Sequence, residues 1–123
     1  MTRERDPGRR SAAGTDASAG PLPLRWSRRA QADLEEIGDF IAADKPEAAR
    51  RWVDKLLENA RRAALLPRAG RVVPEFGMEA LREILVGSYR IVYRITDREI
   101  QVITVFEGHR RFPADVSLEG DAP

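Results

Sequence analysis

The seven residues Tyr89-Arg90-Ile91-Val92-Tyr93-Arg94-Ile95 constrain this chain more than any others. Their side chains alternate with the two-residue period of a β-strand. Tyr89, Ile91, Tyr93 and Ile95 therefore share one face, and Arg90, Val92 and Arg94 share the other. Such a strand buries one face against helices and presents arginines on the opposite side. Residues 81–113 extend the pattern into three short strands, divided by Gly87-Ser88 and by Thr96-Asp97-Arg98. Strands this close in sequence pair as an antiparallel meander. Guanidinium groups held in a row on a rigid sheet suit an anionic partner, either a phosphate backbone or a carboxylate-rich peptide. For any one arginine, a solvated sheet face is the competing explanation.

The preceding half supplies the covering layer. Leu22 to Trp26 reads as a short strand, and Ser27 stands where a helix N-cap belongs. Ala30, Leu34, Ile37 and Ile41 then recur at three- and four-residue spacing, with Phe40 beside them, which marks an amphipathic helix. Asp44-Lys45-Pro46 ends that helix and starts a second, whose stripe is Ala49, Trp52, Val53, Leu56, Leu57, Ala60 and Ala64. Helices joined this tightly fold back as an antiparallel hairpin, here from about Ser27 to Leu66. Val72 to Phe76, interrupted by Pro74, is expected to form an edge strand. The order β-α-α-β-β-β-β predicts a two-layer α+β fold, the hairpin packed on one face of a mainly antiparallel sheet. Trp52, Leu56, Leu34 and Ile37 are expected at the interface. Residues 1–21 carry no large apolar residue after Met1 and are expected to be a disordered tail, or to lie upstream of the true start codon. The folded domain is expected over residues 22–113, with a loose acidic tail at 114–123.

Composition narrows the chemistry. A chain of 123 residues suffices for one core, and a net charge of +1 leaves no overall field to draw it onto nucleic acid. With no cysteine, disulfides and thiolate metal sites are excluded, and a reducing cytosol suits the chain. No apolar run is long enough for a membrane span, and no apolar h-region follows Arg9-Arg10. A single histidine and the lack of any Gly-rich phosphate loop argue against a metal or cofactor. The candidate functional residues gather in the second half. Arg90 and Arg94 share a strand face, and Arg82 on the neighbouring strand is expected to join them. His109 lies between Glu107-Gly108 and Arg110-Arg111, whose cations are expected to hold it neutral, as a general base or a plain surface residue. Glu75 is the carboxylate an edge strand would aim over the open face.

Taken in order, these segments resemble the RelE/ParE superfamily of type II toxin–antitoxin toxins over roughly residues 22–113. The resemblance rests on Leu24-Arg25-Trp26-Ser27, Ala30, Asp33-Leu34, Pro46, Ala49 and Trp52. It continues through Leu65-Leu66-Pro67, Gly70-Arg71, Leu81-Arg82-Glu83 and Tyr89-Arg90-Ile91-Val92-Tyr93-Arg94, and ends at Val105-Phe106-Glu107-Gly108-His109-Arg110-Arg111. It implies the same fold, a cytoplasmic location, no cofactor, and a cognate antitoxin held in a hetero-oligomer. The superfamily divides by target. ParE-like members poison DNA gyrase and are not enzymes, whereas RelE-like members are metal-free endoribonucleases that cut mRNA on the ribosome. A third class has lost activity and only binds its antitoxin. In the nuclease case the resemblance assigns catalysis to Arg90, with Glu75 and His109 left to supply base and acid. Arg82, Arg90, Arg94, Glu107, Arg110 and Arg111 are the expected contacts to target or antitoxin. The ending is nearer the ParE type, although Glu107 stands where that type has histidine, and the ParE-like target is the expected one.

Overall fold

The computed structural model describes residues 22–120, so the expectations for residues 1–21 lie outside it. The elements are β1 (Leu24–Trp26), α1 (Arg28–Ala42), α2 (Pro46–Leu65), β2 (Arg71–Val72), β3 (Leu81–Val86), β4 (Tyr89–Ile95) and β5 (Ile100–Glu107), with one 3-10 turn at Pro67–Ala69. The sheet runs β1-β5-β4-β3-β2, antiparallel except where β1 lies parallel to β5. This is the two-layer α+β fold that the sequence pattern predicts.

Each helix begins for a local reason. The Ser27 hydroxyl accepts a hydrogen bond from the Ala30 N–H at 3.0 Å and donates to the Ile103 carbonyl at 3.3 Å. One side chain thus caps α1 and ties it to the sheet. Pro46 occupies the first turn of α2, where its missing N–H breaks no helical bond. The apolar stripes meet the sheet as expected. Ala30, Leu56 and Ala60 are buried against Val86, Ile91, Val102 and Val105, with Leu34, Ile37 and Trp52 packed around them. Farther along α2, Ala63 and Ala64 cover Tyr93 and Ile100.

Two backbone features set the sheet. Gly87 turns the β3–β4 hairpin at φ 60°, and a Cβ there would lie 2.5 Å from the Trp52 ring. Glycine is therefore required twice, by the left-handed backbone and by the indole above it. In β5 the register with β4 skips Ile103, passing from Val92↔Thr104 to Tyr93↔Val102. This bulge explains how Val102 and Val105, three residues apart, both reach the helix-side core while Ile103 packs on the opposite face.

The structure departs from the sequence reading in two places. β2 ends at Val72, because Val73 to Gly77 closes a turn in which the Phe76 and Gly77 N–H groups both donate to the Val73 carbonyl. The segment after Pro113, expected to be loose, lies across the open sheet face as far as Gly120. Val116 and Leu118 pack on the cluster of Val73, Leu81, Val92, Ile103 and Phe106, and Asp115 pairs with Arg29 at 2.9 Å. Its small, acidic composition hid two apolar residues spaced to cover that cluster.

Candidate functional site

The open face of the sheet is built around Arg90. Its register position lies between Leu85 on β3 and Phe106 on β5, so its side chain rises from the middle of the sheet. Nη1 and Nη2 donate to the two carboxylate oxygens of Glu75 at 2.8 and 2.7 Å, the bidentate geometry that suits a guanidinium. Nε donates to Glu83 Oε1 at 2.7 Å, and Arg71 takes the other Glu83 oxygen. The Arg90 guanidinium carbon also lies 4.9 Å from the Phe106 ring centre and 5.8 Å from that of Phe112, and these two rings meet edge to face at 5.3 Å, so both stand on the same side of it. Glu83 is only 1% exposed and Arg90 only 7%. Two carboxylates thus face two guanidiniums and the charges cancel, with Glu83 and Arg90 buried and Glu75 and Arg71 at the solvent edge.

This arrangement limits what the pocket can do. The Arg90 fork is filled by Glu75 and its Nε edge by Glu83, with the Phe106–Phe112 pair beside it, so no pair of donors is left for an incoming phosphate. Hydrogen bonding from Arg90, opposed by partial burial, holds the Glu75 carboxyl below its ordinary range. A depressed carboxyl is a poor proton acceptor. Glu75 does lie over the open face, from the turn after β2 rather than from a strand.

The other expected residues are dispersed. Arg82 does not join Arg90. Its register partner is Tyr93, on the helix-facing side, and its donors go to the carbonyls of Glu79, Arg68 and Gly70 and to the Glu79 carboxylate. It pins the turn before β2 to the start of β3. Arg94 shares the open face with Arg90, but its Nη1 reaches the Leu118 carbonyl at 3.4 Å.

His109 is corrected more sharply. Its Nδ1 lies 2.7 Å from Glu107 Oε2, and its backbone N–H donates to Glu107 Oε1 at 2.8 Å. The carboxylate outweighs the neighbouring arginines and raises the histidine's pKa above its ordinary value instead of holding it neutral. The same contacts lower that of Glu107. An NMR titration is expected to place the His109 midpoint above about 6.5, the free-imidazole value, and Glu107→Gln is expected to return it there. An unchanged midpoint in that variant would remove the pairing. Arg110 and Arg111 line a separate cleft of about 400 Å³ with Arg29, Asp33, Ile37 and Phe40 of α1. Among the described residues, no hydrogen bond or ion pair joins His109 to Glu75 or Arg90.

Glu83 escaped the sequence reading as a site residue, although a signal was present. It alternates with Leu81 and Leu85, and a carboxylate in an apolar stripe needs a cation on the next strand. Asp33 was also missed. Its Oδ2 accepts from Thr104 Oγ1 at 2.6 Å and from the Val105 N–H at 3.1 Å, which satisfies β5 where its bulge exposes backbone beyond the end of β1.

Comparison with known proteins decides the family. The family model of the ParE toxin of type II toxin–antitoxin systems, parDE, matches residues 24–112. The Sinorhizobium fredii protein Y4kP, an inferred toxin, is 34% identical over 92 residues, covering 73% of this chain and 92% of that protein. The chain belongs to the ParE toxin family. Toxin RelE2 of Caulobacter vibrioides is 33% identical over 81 residues, covering 65% of this chain and 88% of its own, so the similarity extends across the wider RelE/ParE superfamily. Two solved structures share the fold. A chain of the chromosomal ParDE system of P. aeruginosa superposes with a TM-score of 0.61 at 24% identity, over 70% of this chain and 95% of that one. A chain of the RelBE2 toxin–antitoxin complex of Mycobacterium tuberculosis does so with a TM-score of 0.56 at 22% identity, over 75% and 97%. This ParE-family toxin therefore carries its Arg90 cluster on a sheet common to both branches. Among its described residues, no helix is long and apolar enough to cross a membrane.

Proposed function

We propose that this toxin acts in the cytoplasm by poisoning DNA gyrase, without cleavage chemistry of its own, and is silenced by a cognate antitoxin in a hetero-oligomeric complex. The observation that carries this reading is the saturation of Arg90. A metal-free nuclease needs a cation free to receive the charge of a pentacoordinate phosphorane, together with a base and an acid within reach of it. Here the central guanidinium is spent on Glu75 and Glu83, the Glu75 carboxyl is depressed, and His109 is fully exposed and turned to Glu107. The match to the ParE family model supports the same side. Similarity to RelE2 makes mRNA cleavage the alternative to test.

Induction of the chain alone in bacteria is expected to halt growth, with filamentation and double-strand DNA breaks while mRNA stays intact. Co-expression of a cognate antitoxin is expected to restore growth. In vitro, the purified chain is expected to trap gyrase–DNA cleavage complexes and to leave ribosome-bound mRNA whole. Codon-specific cuts in mRNA with normal gyrase turnover would replace the proposal with the nuclease reading. Normal growth on induction would leave only an antitoxin-binding role.

A further inference from the structure

The cleft of about 400 Å³ beside α1 has two unlike walls. The α1 edge brings Glu36, Ile37 and Phe40, β5 gives the floor, and the loop after β5 brings Arg110, Arg111 and Pro113. Phe40 is 78% exposed, more than any other large apolar side chain among the described residues. Several charges here are already matched: Arg29 pairs with Asp33 and Asp115, and Glu107 pairs with His109. Four others are not. Glu36 and, one turn on, Asp39 lie on the exposed edge of α1, while Arg110 and Arg111 lie exposed on the loop. Among the described residues, none of these four side chains makes a hydrogen bond or ion pair. Residues three apart on a helix share an edge, so the two acids form one strip. One wall thus carries two free carboxylates and an uncovered phenyl ring, and the other carries two free guanidiniums.

We infer that two copies of the chain meet at this cleft, as an isologous dimer about a two-fold axis lying along it. Rotation about that axis exchanges the walls, so the α1 edge of each copy meets the Arg110–Arg111 loop of the other. Glu36 and Asp39 pair with Arg110 and Arg111 twice over, and guanidiniums stack on each Phe40 ring. Charge balance selects this occupant. Nucleic acid would set its phosphates against Glu36 and Asp39, and a cationic segment would set its own charge against the two arginines. An apolar helix would cover Phe40 but strip water from four unpaired charges, which is costly. Two charges of each sign on one surface are matched by that same surface turned over. A dimer of this kind withdraws Arg110 and Arg111 from every other partner, so self-association and a third molecule in the cleft exclude one another. The dimer does not depend on which target the toxin poisons.

The test uses the full chain in sedimentation velocity over a concentration series. The parent is expected to pass from monomer to dimer as concentration rises. Glu36→Arg with Asp39→Arg makes both walls cationic, and Arg110→Glu with Arg111→Glu makes both anionic. Each double variant is expected to keep the parent's melting temperature, because the four side chains are exposed and hold nothing in the fold. Like-charge repulsion is expected to weaken self-association of each by about a hundredfold or more. An equal mixture of the two variants is expected to dimerise again, as mixed pairs only. That rescue separates paired walls from a general loss of fold. A parent that stays monomeric at every concentration overturns the dimer. So does a dimer that survives both double variants, or a pair of monomeric variants whose mixture stays monomeric. Binding of a duplex oligonucleotide by a monomeric parent, lost in the Arg110→Glu, Arg111→Glu variant, would assign the cleft to nucleic acid and overturn the dimer as well.

Discussion

Arg90→Ala is expected to destabilise the protein by about 3–5 kcal/mol, the cost of leaving a buried charge without its partner. The charge left behind is Glu83, whose side chain is fully buried and would keep only Arg71. Phe106 and Phe112 would also lose the cation packed against them, opening a space beside the C-terminal segment. Stability of this size is a large part of what a small domain possesses. Chemical denaturation should show the loss directly. Arg94→Ala, removing only a long contact to the Leu118 carbonyl, is expected to cost less than about 1 kcal/mol. If Arg90→Ala and Arg94→Ala unfold alike, Arg90 is not the hub of the open face. A pH dependence accompanies the prediction. Glu75 has a lowered pKa, so its stabilising pair with Arg90 is complete above the ordinary carboxylate pKa and is lost as pH falls through the lowered value. Glu75→Gln should flatten that acid limb.

The same geometry changes how an activity assay must be interpreted. A toxin inactivated by Arg90→Ala would ordinarily be taken to have lost a phosphate-stabilising residue. Here loss of function would follow from loss of fold whichever target applies. Glu83→Gln with Arg90 retained is the more informative variant, because it keeps the side chain's shape and one of its two acceptors while removing its charge. A nuclease would gain a freer guanidinium from that change. A gyrase poison would gain nothing.

Periodicity made the fold legible. Both helices, the hairpin between them and the meander follow from residue spacing, because burial on one face imposes the same 3.6- and 2-residue repeats wherever helices cover a sheet. The bulge at Ile103 was not legible, since in Ile-Gln-Val-Ile-Thr-Val-Phe every position after Gln101 except Thr104 is apolar and no register is marked. The site was legible only in part. Arg90 and Glu75 were singled out, but their direct pairing depends on a turn that brings residue 75 across two strands. Arg82 was assigned to the wrong side because proximity on neighbouring strands was given more weight than alternation. With Arg90 on the open face and opposite Leu85, alternation along β3 sends Arg82 to the helix side. For His109 the flanking arginines were weighed and the carboxylate two residues back was not. A short loop that folds on itself made that carboxylate the nearest charge.

Leu56→Ala is expected to cost about 2–5 kcal/mol, the range for removing a buried leucine side chain whose surroundings relax only partly. Leu56 is fully buried at the centre of the helix–sheet interface, beside Ala30 and Ala60 and facing Val86, Ile91, Val102 and Val105. The sheet side chains it faces are all β-branched and stiff at χ1, so they are poorly able to swing into the space that would open. That favours a persistent cavity and the upper half of the range. Each lost kcal/mol should lower the melting temperature by about 4–8 °C in a domain of this size. Phe40→Ala is the matched control. Phe40 belongs to the same hairpin and is larger, yet it is 78% exposed, and its truncation should change stability by about 0.5 kcal/mol or less. If the two variants melt together, the hairpin does not bury the face assigned to it, and the open side of the sheet is not the side that carries Arg90.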